Sequence, residues 1–345
     1  MPEEIAEQDA SAPLTKKDFS SDQMVRWCPG CGDYAILSSI QKAMPDLGVK
    51  KEDFVFISGI GCGARFPYYM NTYGFHTIHG RGPAVATGIK LANPKLSVWE
   101  VQGDGDALAI GGNHFIHALR RNIDINILLF NNEIYGLTKG QYSPTSQKGL
   151  KTSSTPFGSL EAPFVAGELA LGAKATFFAR TIDTNPKLMT KIFLESAQHK
   201  GTSLIEILQN CVIYNDKTHG KITSKETKDD NQVHLEHGKP MLFGAELNKG
   251  IILNGLKLEA VVIGENGVKQ EDILIHDAHE PDSVLHTMLV KMGLPDMPTA
   301  LGIIRAVEAP TYDKVINEQI EESKKAAKAK NMDALFSSGN IWEVK

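Results

Sequence analysis

The sequence has 345 residues, 42% of them apolar, so it is long enough for one large domain or two and can bury a substantial core. Its formal net charge of −5 at pH 7 disfavours a surface that binds nucleic acid or an anionic membrane. A small molecule or another protein is therefore the expected partner.

The N-terminal segment, residues 1–22, is polar and acidic and is predicted to be a flexible tail. It lacks the basic start and apolar run of a secretory signal, and no run of about 18 apolar residues follows it. The sequence therefore predicts a cytoplasmic protein that does not enter a membrane.

Residues 23–215 alternate between apolar runs typical of β-strands and patterns typical of helices. The predicted strands cover residues 54–58, 96–101, 125–130, 175–179 and 203–208. The predicted helices cover residues 33–44, 83–92, 113–121, 162–171 and 186–198. This alternation predicts an α/β domain, with a doubly wound parallel sheet and helices on both faces.

Residues 216–345 lack this rhythm and are predicted to form an irregular C-terminal extension that contacts a partner. A strongly polar stretch at its start is typical of a long surface excursion. Asn254-Gly255 is typical of a hairpin turn, because both residues tolerate positive φ. The lysine-rich segment from Thr311 to Lys330 is predicted to be a solvent-exposed helix.

Two short polar motifs follow neighbouring predicted strands. Gly103-Asp104-Gly105 ends one strand, and Asn131-Asn132 ends the next one along the chain. If the two strands are adjacent they lie about 4.8 Å apart, so Asp104 and Asn132 could share one cation. Mg²⁺ takes about six oxygen ligands, and the Asp104 carboxylate, the Asn132 amide and the Ile134 carbonyl would supply three. Each motif alone is more often an ordinary turn.

The four cysteines are Cys28, Cys31, Cys62 and Cys211. The first two form a CxxC pair, and the other two follow predicted strand ends, so all four could converge at one sheet edge. The residues alone leave three interpretations open: a thioredoxin-like dithiol, a Cys₄ zinc site and a [4Fe–4S] cluster. A single isolated cysteine is most often a small buried apolar residue.

The spacing from GDG to NN resembles the cofactor signature of thiamine-diphosphate enzymes. The predicted fold is similar to the thiamine-diphosphate-binding fold. The motifs WCPGCG, SGIGC, HGRGPAVATGIKLA, GDGDALAIGGNHFIHALRRN and NNEIYGLTKGQ resemble, in this order, the β subunit of 2-oxoacid:ferredoxin oxidoreductases. The likeness covers about residues 25–215 and is weaker in LGIIRAVEAPTYD near the C-terminus. The run GARFPYYMNTYGFHTIHGR looks more like the 2-oxoglutarate branch than the pyruvate branch.

The resemblance implies three cofactors: thiamine diphosphate, Mg²⁺ and one [4Fe–4S] cluster. The residues implied for Mg²⁺ are Asp104, Asn132 and Ile134. Those implied for thiamine diphosphate are Ile60, Gly61, Cys62, Gly63, His79, Gly105, Asp106, Gly136 and Leu137. The residues implied for the cluster are Cys28, Cys31, Cys62 and Cys211.

The implied reaction is the oxidative decarboxylation of a 2-oxoacid, or its reversal, with coenzyme A taking up the acyl group and ferredoxin the electrons. His79 is implied to lie near the reacting centre. Arg65 follows the cysteine loop and could pair with a distal carboxylate, which would favour 2-oxoglutarate over pyruvate. An exposed arginine without a role is an equally good interpretation.

Thiamine enzymes need a second domain for the aminopyrimidine ring, and residues 230–345 are too short and irregular to form it. We therefore expect an α subunit to complete the site, in a dimer of αβ pairs, with ferredoxin as a separate protein. One alternative within the family is a pyruvate or broad-range 2-oxoacid:ferredoxin oxidoreductase. Two alternatives outside it are a thiamine-dependent decarboxylase with structural zinc and a non-catalytic scaffold subunit.

Overall fold

A computed structural model describes residues 13–327 and 331–344. Residues 1–12 of the predicted tail, and residues 328–330 of the predicted terminal helix, lie outside the described residues. Residues 16–19 of the tail form a single 3₁₀ turn, and Phe19 in this turn is completely buried. This part of the tail is therefore docked on the domain.

Eleven strands are described, and eight of them form the main sheet in the order β2-β1-β3-β4-β6-β5-β11-β7. Neighbouring strands of this sheet are parallel, except that β11 is antiparallel to β5. The strands are β1 Phe54–Ser58, β2 Tyr73–His76, β3 Ser97–Gly103, β4 Asn126–Asn131, β5 Phe177–Ile182, β6 Ser203–Leu208, β7 Gln232–Leu235, β8 Leu242–Phe243, β9 Lys249–Asn254, β10 Lys257–Val262 and β11 Thr299–Ala306.

The described helices alternate with the strands through the first two thirds of the chain. They are α1 Asp33–Ala43, α2 Phe66–Tyr69, α3 Gly82–Ala92, α4 Asp104–Leu108, α5 Gly112–Arg121, α6 Ala166–Gly172, α7 Pro186–Gln198, α8 Gly220–Thr223, α9 Lys228–Asn231, α10 Val284–Lys291, α11 Tyr312–Ala326 and α12 Met332–Phe336. The five predicted helices correspond to α1, α3, α5, α6 and α7. Helix α6 begins four residues later than predicted, because the preceding loop bonds instead to residue 144.

Alternate residues of each central strand enter two different cores, one on each face of the sheet. Phe54 and Phe56 pack beneath α1 and α7, whereas Val55 and Ile57 pack beneath α3 and α5. All four side chains are buried, as expected for a sheet that is covered on both faces. The predicted doubly wound α/β fold is confirmed.

The C-terminal region is more regular than the sequence suggested, because β7 and β11 join the edge of the main sheet. Strands β8, β9 and β10 form a separate antiparallel sheet that contains the predicted hairpin. Gly255 adopts φ +60°, and the turn is centred on Gly255 and Leu256, one residue later than predicted. Within the described ranges, no helix has the length and apolar character needed to cross a bilayer.

The parallel arrangement places the carboxyl ends of β1, β3, β4 and β6 at one edge of the sheet. The segments that leave these ends carry the cysteine loop at 59–63, Asp104, Asn132 and Cys211. The fold thus gathers four separate parts of the sequence at one location.

Candidate cofactor and cluster site

A cavity of about 130 Å³ opens at this edge of the sheet. It brings together all of the residues that the sequence predicted for thiamine diphosphate and Mg²⁺. Its walls are formed by residues 33, 60–63, 79, 103–106, 130, 132 and 134–138.

Asp104 is the first residue of α4 and lies buried at the end of β3. Its Oδ2 accepts hydrogen bonds from the hydroxyls of Ser143 and Thr145, both at 2.5 Å. Burial raises the pKa of this carboxyl, and the two hydroxyls oppose the rise. A cation in the cavity would offset the cost of burying the ionised form, so the residue suits a metal ligand.

Asn132 follows β4, which lies directly beside β3 as the motif spacing required. Its amide Nδ2 donates to Gln209 Oε1 at 2.8 Å, and its Oδ1 accepts the Ile134 N–H at 3.2 Å. These two bonds fix the orientation of the amide, and Ile134 lines the same cavity. The three predicted Mg²⁺ ligands therefore face one space.

Gly105 lies under the ring of Tyr135, whose hydroxyl donates to the Gly105 carbonyl at 3.0 Å. A Cβ at Gly105 would lie 2.2 Å from that ring, so only glycine allows this contact. Gly136 and Leu137 continue the same wall. The three residues predicted to lie along the diphosphate, Gly105, Gly136 and Leu137, thus line one cavity.

Asp106 lines the cavity, but its carboxyl is engaged within the protein. Oδ1 lies 3.1 Å from His79 Nδ1 and accepts the Gly80 N–H at 2.8 Å, while Oδ2 accepts Gln102 Nε2 at 2.9 Å. The Asp106 side chain is 1% exposed, whereas the His79 side chain is 52% exposed. The structure therefore links two residues that the sequence had assigned separately to the cofactor.

The cysteines converge next to this cavity. A Cβ at Gly136 would lie 3.5 Å from both Cys62 Sγ and Cys211 Sγ, so the two sulfurs flank one glycine. Trp27 Nε1 donates to the Cys62 carbonyl at 2.7 Å, which ties the CxxC segment to the second cysteine loop. Cys28 is exposed, whereas Cys31, Cys62 and Cys211 are half-buried.

Burial raises the pKa of the Cys62 thiol to about 12, and Asp33, Cys211 and Cys28 add to the rise. The pKa of Cys31 is raised further, again mainly by burial, with contributions from Asp33, Cys211 and Cys62. These mutual effects require the sulfurs to be near one another. Ionised thiolates here would need a positive centre among them. Among the described residues, no three or more Cys, His, Asp or Glu are arranged to enclose a single metal ion.

Asp33 is a site residue that the sequence reasoning missed. It is buried, one of its carboxyl oxygens has no hydrogen-bond partner in the described structure, and it lines the cavity beside Cys31. Burial raises its pKa to about 7, and the charge of Asp183 adds to the rise. Its place directly after the CxxCG motif was the available signal. Ser143, Thr145, Tyr135 and Gln209 carried no comparable signal.

Arg65 lies outside the 130 Å³ cavity, in a neighbouring cavity of about 350 Å³. The two cavities share residues 60, 61 and 137, and Arg26, Tyr68 and His76 also line the larger one. Arg65 is exposed, and within the described chain it forms no ion pair. Its guanidinium is therefore free to bind an anion beside the candidate cofactor cavity.

Residues 59–207 match the family model described as the thiamine pyrophosphate enzyme C-terminal TPP-binding domain. A solved structure described as 2-oxoglutarate:ferredoxin oxidoreductase from Magnetococcus marinus, with 2-oxoglutarate, coenzyme A and succinyl-CoA bound, superposes with a TM-score of 0.75 at 30% identity. The match covers 95% of this chain and 97% of that one. The thiamine-diphosphate-binding fold is thus confirmed.

Curated relatives agree with this match. The 2-oxoglutarate oxidoreductase subunit KorB of Mycobacterium tuberculosis is 48% identical over 335 residues, which cover 96% of this chain and 89% of the relative. This chain belongs to the β subunits of the 2-oxoacid:ferredoxin oxidoreductases. The β subunit of 2-oxoacid:ferredoxin oxidoreductase 1 of Aeropyrum pernix is 47% identical over 190 residues, 55% of this chain and 60% of that relative.

The predicted resemblance, including the 2-oxoglutarate branch, is therefore confirmed. As a β subunit of this family, the chain is part of a multi-subunit oxidoreductase, and its matched domain is one that binds thiamine diphosphate. The residue assignments remain predictions.

Proposed function

We propose that this β subunit, together with an α subunit, catalyses the coenzyme A-dependent oxidative decarboxylation of 2-oxoglutarate to succinyl-CoA and CO₂, or the reverse reaction, with ferredoxin as electron carrier. One observation carries the proposal. The turn at residues 134–137 lines the candidate cofactor cavity and also separates the sulfurs of Cys62 and Cys211.

Asp104, the Asn132 amide oxygen and the Ile134 carbonyl would hold Mg²⁺. The fit is supported by the burial of Asp104, by the fixed orientation of the Asn132 amide and by the cavity they share. Gly105, Gly136 and Leu137 would lie along the diphosphate, and residues 60–63 would contact the thiamine. Thiamine diphosphate supplies an electron sink for the decarboxylation when it is bound.

Cys28, Cys31, Cys62 and Cys211 would hold one [4Fe–4S] cluster. The proposal is supported by the convergence of the sulfurs and by the burial of Cys31 and Cys62, which disfavours their free thiolates. The short separation from the cofactor cavity suits transfer of single electrons. A structural zinc site with no redox role is the alternative.

Arg65 would bind the distal carboxylate of 2-oxoglutarate. Its position in the neighbouring cavity supports this role, because Arg65 lies next to the candidate cofactor cavity and forms no ion pair with a carboxylate of the described residues. Pyruvate has no distal carboxylate, so a chain selective for pyruvate would not need this charge.

The α subunit would supply the domain that binds the aminopyrimidine ring, and ferredoxin would be a separate cytoplasmic protein. We propose a dimer of αβ pairs. Several large apolar side chains that line the two cavities, or directly precede a lining residue, are solvent-exposed in the isolated chain, which supports a missing partner there. They include Met24, Ile78 and Leu137.

The experiment is a substrate panel on the anaerobically purified αβ complex, scored by acyl-CoA formation and ferredoxin reduction. We expect 2-oxoglutarate to be preferred, and Asp104→Ala to abolish activity while the exposed Asp46→Ala does not. Arg65→Met should raise KM for 2-oxoglutarate and leave pyruvate turnover unaffected. Comparable rates with both acids would contradict the Arg65 assignment, and zinc without iron would remove the electron-transfer role.

A further inference from the structure

We infer that Asp106 is a positioning residue, which holds His79 with its Nε2 facing the reaction cavity. The same carboxyl oxygen of Asp106 meets His79 Nδ1 at 3.1 Å and the Gly80 N–H at 2.8 Å. One oxygen thus fixes both the imidazole ring and the backbone that follows it. The inference deepens the proposed function, and it rests on that function for the meaning of the cavity.

The Asp106 carboxyl is itself held in place from three sides. Its Oδ2 accepts the Gln102 amide at 2.9 Å, and a Cβ at Gly59 would lie 1.8 Å from this same oxygen. The Gly111 N–H donates to the Asp106 backbone carbonyl at 3.1 Å, which fixes the backbone that carries this carboxyl. The carboxyl cannot turn toward a ligand without breaking its bonds to the Gly80 N–H and the Gln102 amide.

The turn that carries His79 is equally constrained. Gly80 adopts φ +67°, and a Cβ on it would lie 2.4 Å from the Gly111 backbone. The backbone of the turn therefore packs between Asp106 on one side and Gly111 on the other. Asp106 also restricts rotation of the His79 ring through its contact with Nδ1.

This geometry selects one tautomer of the imidazole. A proton on Nδ1 makes the hydrogen bond to Asp106, so Nε2 carries the lone pair. The half-exposed ring lines the cavity, where Nε2 can accept a hydrogen bond or a proton from an O–H or S–H group that is bound there. Glu100 lies near Asp106 and is fully buried, and burial raises its pKa well above the usual range.

The competing role for Asp106 is a direct contact with the diphosphate. The two roles differ in what removal of the carboxylate should do. If Asp106 contacts the diphosphate, removing its carboxylate should weaken thiamine diphosphate binding whether or not His79 is present. A positioning residue should act only while the imidazole is present.

The first test is ¹⁵N NMR of the histidine-labelled full chain. The His79 nitrogen signals are identified by their absence from His79→Gln. In wild type they should report a single Nδ1–H tautomer, and Asp106→Asn should shift them away from it. The chain offers a matched control, because His237 Nδ1 lies 3.2 Å from Asp277 in a pair remote from the site. Asp277→Asn should change the His237 signals and leave those of His79 and the activity unaltered.

The second test uses the assembled complex. Asp106→Asn should lower kcat on the order of 100-fold, while KM for the 2-oxoacid and thiamine diphosphate affinity change less than about twofold. In the His79→Gln background, Asp106→Asn should cause no further loss of kcat. If Asp106→Asn prevents folding, Gln102→Met removes one anchor of the carboxyl and should give a smaller change of the same kind.

Three results would overturn the inference. The His79 signals could be unchanged in both Asp106→Asn and Gln102→Met, or the rate losses of Asp106→Asn and His79→Gln could multiply in the double variant. The third is a loss of thiamine diphosphate affinity in Asp106→Asn that persists in the His79→Gln background. A wild-type complex inactive on every 2-oxoacid would instead refute the proposed function. The NMR test would still decide the positioning role in that case.

Discussion

Asp33 gives the chain a stability that should decline as pH rises, and Asp33→Asn should remove the part of the pH dependence that this carboxyl contributes. The carboxyl is buried beside Cys31, and one of its oxygens has no partner in the described structure. Burial is the main cause that raises its pKa to about 7 in the folded chain, and the charge of Asp183 adds to it. Asparagine has nearly the same shape and cannot ionise.

The sign follows from proton binding. Between the unfolded pKa of about 3.9 and the folded pKa, the native state binds more protons than the unfolded state, so the stability from this group is greatest at low pH and is lost as pH rises. With a folded pKa of about 7, the loss between pH 5 and pH 7 is about 2 kcal/mol. The pKa of Glu133 is also raised to about 7, mainly by burial. Glu133 therefore also lowers the stability as pH rises, and it does so equally in wild type and in Asp33→Asn.

The assay is urea unfolding of the cofactor-free chain at pH 5 and pH 7, for wild type, Asp33→Asn and the exposed control Asp22→Asn. The quantity of interest is the change in unfolding free energy between the two pH values. It should be about 2 kcal/mol smaller in Asp33→Asn than in wild type, and unchanged in Asp22→Asn. Equal pH dependence in all three proteins would refute the reasoning.

Three further substitutions test the packing of the site and core. Gly105→Ala should displace Tyr135 and weaken thiamine diphosphate binding, measured by calorimetry, because the new Cβ would lie 2.2 Å from the ring; unchanged affinity would contradict this. Arg180→Met should destabilise the chain by about 3–5 kcal/mol in urea unfolding, because it leaves the buried Glu206 carboxyl, 2.7 Å from the guanidinium, without its partner. A loss under about 1 kcal/mol would show that Glu206 had found another partner. Gly80→Ala should lower the thermal midpoint through its positive φ and its contact with the facing backbone, and an unchanged midpoint would mean that the turn can relax.

The core of the fold could be predicted because its signals are local. Continuous apolar runs identified β1 and β6 to the residue and three other strands to within about three residues. Strand β7 was missed, since its four residues follow a polar stretch and one of them is exposed. Its strand character depends on pairing with β11, which lies far away in the sequence.

The candidate site could be predicted where a residue follows a parallel strand directly. Asp104 and Asn132 are such residues, and they were predicted to lie together because the carboxyl ends of parallel strands lie at one edge of a sheet. Ser143 and Thr145 lie in a long loop with no periodic pattern, so nothing local indicated that they bond to Asp104. The bonds of Asp106 depend on how a turn after β2 meets α4, which sequence spacing does not specify.

The turn at residues 134–137 limits how this protein can evolve. Its residues line the cavity, and a Cβ at Gly136 would lie 3.5 Å from each of two cysteine sulfurs. A mutation that reshapes the turn to admit a different substrate would also move those sulfurs. Changes in substrate preference should therefore come more readily from residues that line only the neighbouring cavity, such as Tyr68 and His76.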